Sequence, residues 1–349
     1  MSLIKLLDSK TNKTLYTTPS HGQNFWTYNP LKEMYKIDIS ETECQNPQEA
    51  LNNAQLMART IYHTYSTTFL TNGSTSGIIA AVLSCTQVGD KVLIASNSHP
   101  SHFNAVRLAG ARALTYDLDI EPDWGVPLEA KPEVIEYFLS RYNIRTVIIT
   151  SPTYEGIISD IEEIKLICER HEAFLIVDEA HGALYPCLLY TSPSPQGYSS
   201  AASDVYKRQL HKTAGGLNPT ALLHCNCEID VRPALNMFMT TSPSYPLLAS
   251  IEANIMYLDS RDGRKEIDNL ITRLDNIRMK CKGCEFFGDD PTKVLIRVPG
   301  VSGFELSEML YEDFNIEDER TNEKSTMLLC GIGTDNKKLD RLQHILAKL

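Results

Sequence analysis

Three stretches of the chain, Lys91-Val-Leu-Ile-Ala95, Arg145-Thr-Val-Ile-Ile-Thr150 and Ala173-Phe-Leu-Ile-Val-Asp178, hold apolar runs without interruption. An apolar run that does not alternate needs cover on both faces, which is the environment of parallel strands in an α/β sheet. From Phe69 to Val177 such runs trade places with helical stretches. Between the last two, Asp160 is placed to cap a helix whose Ile161, Ile164, Ile167 and Cys168 share one face. Past Tyr245 the pattern changes: a helical stretch to about Lys280, a strand at Lys293–Val298, a helix from Gly303 to Phe314, a strand at Met327–Cys330 and a last helix from Asn336. The expected division is an N-terminal segment 1–50 draped over the rest, a large α/β domain 51–255 with a mainly parallel sheet, and a small α+β domain 256–349.

Charge excludes some functions. Lys plus Arg number 33 against 44 Asp plus Glu, a net charge of −11, and no basic patch follows a phosphate backbone, so nucleic acid is not an expected partner. No apolar run approaches the ~20 residues of a membrane span. The start of the chain lacks a signal-peptide core, and nine scattered cysteines read as reduced thiols, so a cytoplasmic protein is expected. Neither Cys225-Asn-Cys227 nor Cys281-Lys-Gly-Cys284 makes a convincing metal site, and no metal is expected.

One segment breaks the rhythm. Cys187 to Gln209 is rich in Ser and Pro, then sets Lys207 and Arg208 where a buried strand is due. Unpaired charges there would cost several kcal/mol. Leu188-Leu-Tyr-Thr-Ser-Pro-Ser-Pro195 and Asp204-Val-Tyr-Lys-Arg-Gln209 look like translated sequencing-adapter DNA, so the natural residues are expected to differ between 187 and 209; a genuine polar insertion is the alternative.

Three short motifs carry chemistry. Thr71-Asn-Gly-Ser-Thr-Ser-Gly77 opens a helix, where amides, hydroxyls and the helix dipole suit a phosphate, although many such turns are only caps. Asp178-Glu-Ala-His181 ends an apolar strand, the place where open α/β sheets bind ligands. The same four letters occur in helicases, but no P-loop accompanies them. His211-Lys212-Thr213 follows, and a lysine near such a strand end forms a Schiff base if its amine is freed from its proton.

Phosphate loop, then Asp at a strand end, then Lys, is the order found in fold-type-I pyridoxal-phosphate enzymes. More closely, the chain resembles the Orn/Lys/Arg decarboxylase family through Thr18-Pro-Ser-His21-Gly22, Asn72–Gly77, Ser151-Pro-Thr-Tyr-Glu-Gly156, Val177–Gly182, Leu210–Thr213 and Thr240-Thr-Ser-Pro-Ser-Tyr245. The resemblance implies pyridoxal 5'-phosphate held at Lys212, with Asp178 on the ring nitrogen. Ser74, Thr75 and Ser76 would serve the phosphate, His99 would stack on the ring and Ala180 would pack beneath it. Thr153, His181 and His211 would touch cofactor or substrate, and His21 would reach the mouth of the site. His211 or Lys212 would return a proton to Cα. It further implies decarboxylation of arginine, lysine or ornithine, a link to polyamine biosynthesis, and a homodimer in which Thr240–Tyr245 serves the neighbouring subunit. An aminotransferase or other lyase on the same scaffold, or a catalytically decayed paralogue, are the alternatives. Two departures from the resemblance stand out: where family members usually place a phosphate-binding serine this chain has Gln209, and since they commonly continue into a further C-terminal domain, a short form or a truncated sequence is expected at Leu349.

Overall fold

The computed structural model describes residues 2–11, 32–39, 47–184 and 203–349. Its strands, in chain order, are β1 Ser66–Leu70, β2 Lys91–Ala95, β3 Arg112–Tyr116, the short ribbon β4 Ile120–Glu121 and β5 Val126–Pro127, then β6 Thr146–Thr150, β7 Phe174–Glu179, β8 Val205–Gln209 and β9 Ala221–Cys225. β10 Glu285–Phe287, β11 Lys293–Arg297, β12 Arg320–Thr321 and β13 Thr326–Leu329 complete the set.

Seven of these form one sheet in the order β1-β9-β8-β7-β6-β2-β3. The pairs β7·β8, β6·β7, β2·β6 and β2·β3 are parallel, and β9 runs antiparallel to both its neighbours. Successive side chains of a strand point to opposite faces. Ile148 and Ile176 accordingly join a core with Ile78, Val82 and Val106, from the helices Gly73–Cys85 and Pro100–Leu108. Val147, Ile149, Leu175 and Val177 join the other core, with Ile135, Leu139, Ile161, Ile164 and Ile167 from the helices Pro132–Arg141 and Ile161–Arg170. Two covered faces explain the uninterrupted apolar runs. Asp160 caps the second of those helices, its side chain accepting from the Glu163 amide at 2.9 Å.

The helical stretch after Ser244 is two helices, Tyr245–Asp259 and Arg261–Lys280, divided at Ser260, whose hydroxyl accepts from the Gly263 amide. Leu270, Leu274 and Ile277 of the second then pack on a four-stranded antiparallel sheet, order β10-β11-β13-β12, together with helices Gly303–Glu312 and Asn336–Leu346. The architecture is α/β of the fold-type-I kind, with a mostly parallel large sheet and a small antiparallel C-terminal one.

Two expectations need correction. The N-terminal stretch does more than drape, because helix Leu3–Thr11 buries Leu3, Leu6 and Leu7 in a core with Leu248, Ile251 and Ile255. The charges of β8 are paired. Register sets Lys207 beside Asp178 and Arg208 beside Glu179, so like-facing neighbours meet. Lys207 Nζ lies 2.7 Å from Asp178 Oδ1, and Arg208 Nε 2.7 Å from Glu179 Oε2.

Candidate active site

The carboxyl ends of the parallel strands border a cavity of about 510 Å³. Ser74, Thr75, His99, Thr153, Asp178, Ala180, His181, His211 and Lys212 all line it. Ser76 is buried on the same turn, but its hydroxyl donates to the Gly73 carbonyl at 2.9 Å and does not face the space. Thr240 and Ser242 are exposed elsewhere, and Tyr245 is buried at the start of its helix. His21, with the rest of Thr18–Gly22, and residues 187–202 lie outside the described residues.

Asp178 is the last but one residue of β7 and is buried. His102 Nε2 donates to its Oδ2 at 2.7 Å, while Oδ1 takes the Ala180 amide at 2.9 Å and the Lys207 ammonium. Burial alone would raise this carboxyl; Lys207 and His102 outweigh it and hold the group well below the usual carboxylate range. The carboxylate is thus ionised, with both oxygens engaged.

His181, on the turn after β7, is a hub. Its Nε2 lies 2.7 Å from Lys212 Nζ and its Nδ1 lies 2.9 Å from Lys293 Nζ. Lys293 opens β11 and is only 1% exposed, so the small sheet delivers an amine beneath the large one's site. It reaches there because Gly156, with φ at +97°, has no side chain: a Cβ would come within 2.8 Å of Lys293 Cγ and of Asp290 Cβ. Burial, then Lys293 and Lys212, keep the imidazole well below its ordinary pKa. Burial, then Lys293 and Lys207, bring Lys212 down to about 8. The Tyr154 ring leans on His181, with centroids 4.3 Å apart, and lies 5.1 Å from Lys212 Nζ.

The remaining side chains set the walls. His99 caps helix Pro100–Leu108, its Nδ1 accepting from the Ser101 amide, and burial lowers its pKa. The Thr220 carbonyl only accepts, so the 3.1 Å contact fixes His211 with its proton on Nδ1 and leaves Nε2 as the acceptor. Thr153 Oγ1 accepts from the Ile157 amide. Glu155 lines the cavity beside Arg320, at 3.2 Å, and burial pushes its carboxyl up despite that guanidinium. Sequence reading assigned no part to Lys293, His102, Tyr154, Glu155 or Arg320. For His102 a signal existed, since it follows His99 by three residues, one turn of helix away.

Pyridoxal phosphate fits this site at three places and conflicts at one. A depressed lysine amine, a helix N-terminus with Gly73 at φ +71°, and Ala180 on the cavity wall suit it. Gln209 Nε2 stands 3.9 Å from where a Cβ on Gly73 would lie, so an amide donor occupies the place of the anticipated hydroxyl. The conflict is at Asp178, where the Lys207 ammonium, 2.7 Å from Oδ1, already neutralises the carboxylate that a ring nitrogen would need.

The family described as Orn/Lys/Arg decarboxylase, major domain, matches residues 10–289. Among curated proteins, the uncharacterised protein YaaO of Bacillus subtilis is 27% identical over 93% of this chain and 72% of its own length. An arginine decarboxylase of Halalkalibacterium halodurans is 26% identical over 88% of this chain and 66% of its own. Of solved structures, the E. coli constitutive lysine decarboxylase superposes with a TM-score of 0.81 at 19% identity, over 99% of this chain and 60% of that one. A ureidoglycine-glyoxylate aminotransferase of Bacillus subtilis shares the fold at a TM-score of 0.64 and 15% identity, over 87% of this chain and 86% of that one. The chain therefore spans 60% to 66% of the length of these two decarboxylases.

Proposed function

The chain belongs to the Orn/Lys/Arg decarboxylase family, and within it we propose that this protein removes the α-carboxylate of a basic amino acid with pyridoxal 5'-phosphate attached at Lys212. The observation that carries the reading is the half-buried Lys212 amine, with a pKa of about 8, on the wall of the same cavity as the buried carboxylate of Asp178. A lysine captures a carbonyl only as the free amine, and a value near neutrality gives it that form at little cost. When bound, the cofactor supplies the electron sink for the pair left behind as carbon dioxide departs.

The protein's own groups do the rest. Ser74, Thr75, Gln209 and the helix N-terminus would hold the phosphate, Asp178 would pair with the ring nitrogen, and His99 and Ala180 would contact the ring. Thr153 and His181 complete the wall. Lys212, and His211 Nε2 once it has taken up a proton, are the groups that would carry a proton to Cα. The exposed run Thr240–Ser242 is proposed to reach a partner subunit's site in a homodimer, which light scattering on the cofactor-loaded protein tests.

One observation favours a second reading, a catalytically decayed paralogue: the Lys207 ammonium sits against Asp178. A single experiment separates the two. Protein incubated with pyridoxal phosphate and reduced with borohydride is digested and mapped, and the three amino acids are assayed for carbon dioxide and amine. Label at Lys212 with amine release is expected; Lys212→Ala removes both. Label on another lysine sinks the assignment, a keto acid product points to transamination, and label without turnover supports decay.

A further inference from the structure

The Lys212, His181 and Lys293 nitrogens form a chain with contacts of 2.7 and 2.9 Å. Each contact has room for one hydrogen. A neutral imidazole is a donor at one nitrogen and an acceptor at the other, and a protonated one is a donor at both. Two ammonium groups cannot therefore flank it, because one contact would then set N–H against N–H. The three groups hold at most one positive charge among them.

Where that charge rests follows from what faces each end. Burial works first against charge on Lys293; against this stand the carboxylates of Asp290, whose Oδ2 is buried without a hydrogen-bond partner among the described residues, and of Glu319 and Glu155, which favour the charged form. Around Lys212, burial and then Lys293 oppose the charge and Lys207 on β8 adds to them, whereas Glu319 on the small domain and Asp178 on β7 favour it, and His211 lies next in the chain. Asp178 is committed to Lys207 and Glu155 to Arg320. The tautomer that fits has Lys293 as the ammonium donating to Nδ1, and Nε2–H donating to the lone pair of Lys212.

We propose that Lys293 is a positioning residue for Lys212: by keeping the one charge of this chain on the small domain, it holds Lys212 as a free amine through His181. The proposal rests on the reading of Lys212 as the amine that captures a carbonyl, but its test does not need the cofactor.

Full-length protein without cofactor is treated with formaldehyde and cyanoborohydride from neutral to alkaline pH, and methylation at Lys212 is followed by peptide mass mapping. The unmodified chain should reach half its limiting rate near pH 8. In Lys293→Met, which keeps the volume and loses the charge, the midpoint should rise by about one unit or more, so labelling at neutral pH slows about tenfold. Lys293→Arg should keep the low midpoint. Circular dichroism and the labelling of exposed lysines show whether each variant is folded, and Lys293→Gln substitutes if Lys293→Met is not. An unchanged midpoint in the folded neutral variant overturns the proposal, as does a rise of equal size in Lys293→Arg. Failure of pyridoxal phosphate to label Lys212 would count against the proposed function alone.

Discussion

β7 and β8 lie side by side in the same sheet, parallel and hydrogen-bonded from Ile176 against Val205 to Glu179 against Arg208. One reads Phe-Leu-Ile-Val-Asp-Glu and keeps its charges for the end; the other reads Val-Tyr-Lys-Arg-Gln and places them in the middle. Both are buried. The difference teaches that a strand interior accepts charge when register lines each cation up with a carboxylate, and that the cost moves elsewhere: here, to the carboxylate a cofactor would use. Buried ion pairs rarely out-stabilise well-packed apolar residues, so β8 is tolerated by its neighbour and not a source of extra stability.

The comparison can be broken from the β7 side. Asp178→Asn leaves the Lys207 ammonium buried without its counter-ion, and a loss of about 3–5 kcal/mol in urea unfolding is expected. Asp178 is held below its unfolded pKa, so its contribution is complete above the ordinary carboxylate value of about 4 and fades only as pH falls below it. The gap between the two proteins should therefore be constant near neutrality and close in acid; a gap that widened in acid would break the account.

From the β8 side the effect is smaller and of opposite use. Lys207→Met leaves Asp178 with the His102 and Ala180 donors, so stability should change less than in Asp178→Asn. Pyridoxal phosphate, followed by fluorescence quenching, should bind about tenfold more tightly, ~1.4 kcal/mol. Weaker binding would show that Lys207 helps seat the cofactor. Independent DNA reads across codons 187–209 sharpen the same point, since a natural apolar residue at 207 is expected; reads reproducing every codon would end that idea. Smallest of all, Asp160→Ala, at the cap of the helix leading into β7, should cost about 1 kcal/mol and leave binding unchanged, a scale for the other two.

The α/β order, the Asp160 cap and the positions of Asp178 and Lys212 were legible because they depend on local pattern: continuous apolar runs, cap chemistry and strand ends. Lys207 and Arg208 were misread as unpaired because pairing is a property of register, which no single strand carries. Lys293 was invisible for another reason. It reads as the polar first residue of a strand in the small domain, and only the packing of two sheets brings it under His181. Leu3, Leu6 and Leu7 were overlooked in a stretch whose surroundings are polar, although their spacing marks one helix face.

Gly156 gives the contact between the sheets a mechanical side. The Lys293 stem passes through a clearance left by one absent methyl group. Any residue larger than glycine there would act as a shim, prying β11 away from the loop after β6 and lengthening the reach of Lys293 to His181. Chemistry on the large sheet is thereby tied to a dimension set between two sheets, and a change of a few tenths of an ångström at a position that touches neither substrate nor cofactor would retune the amine that does.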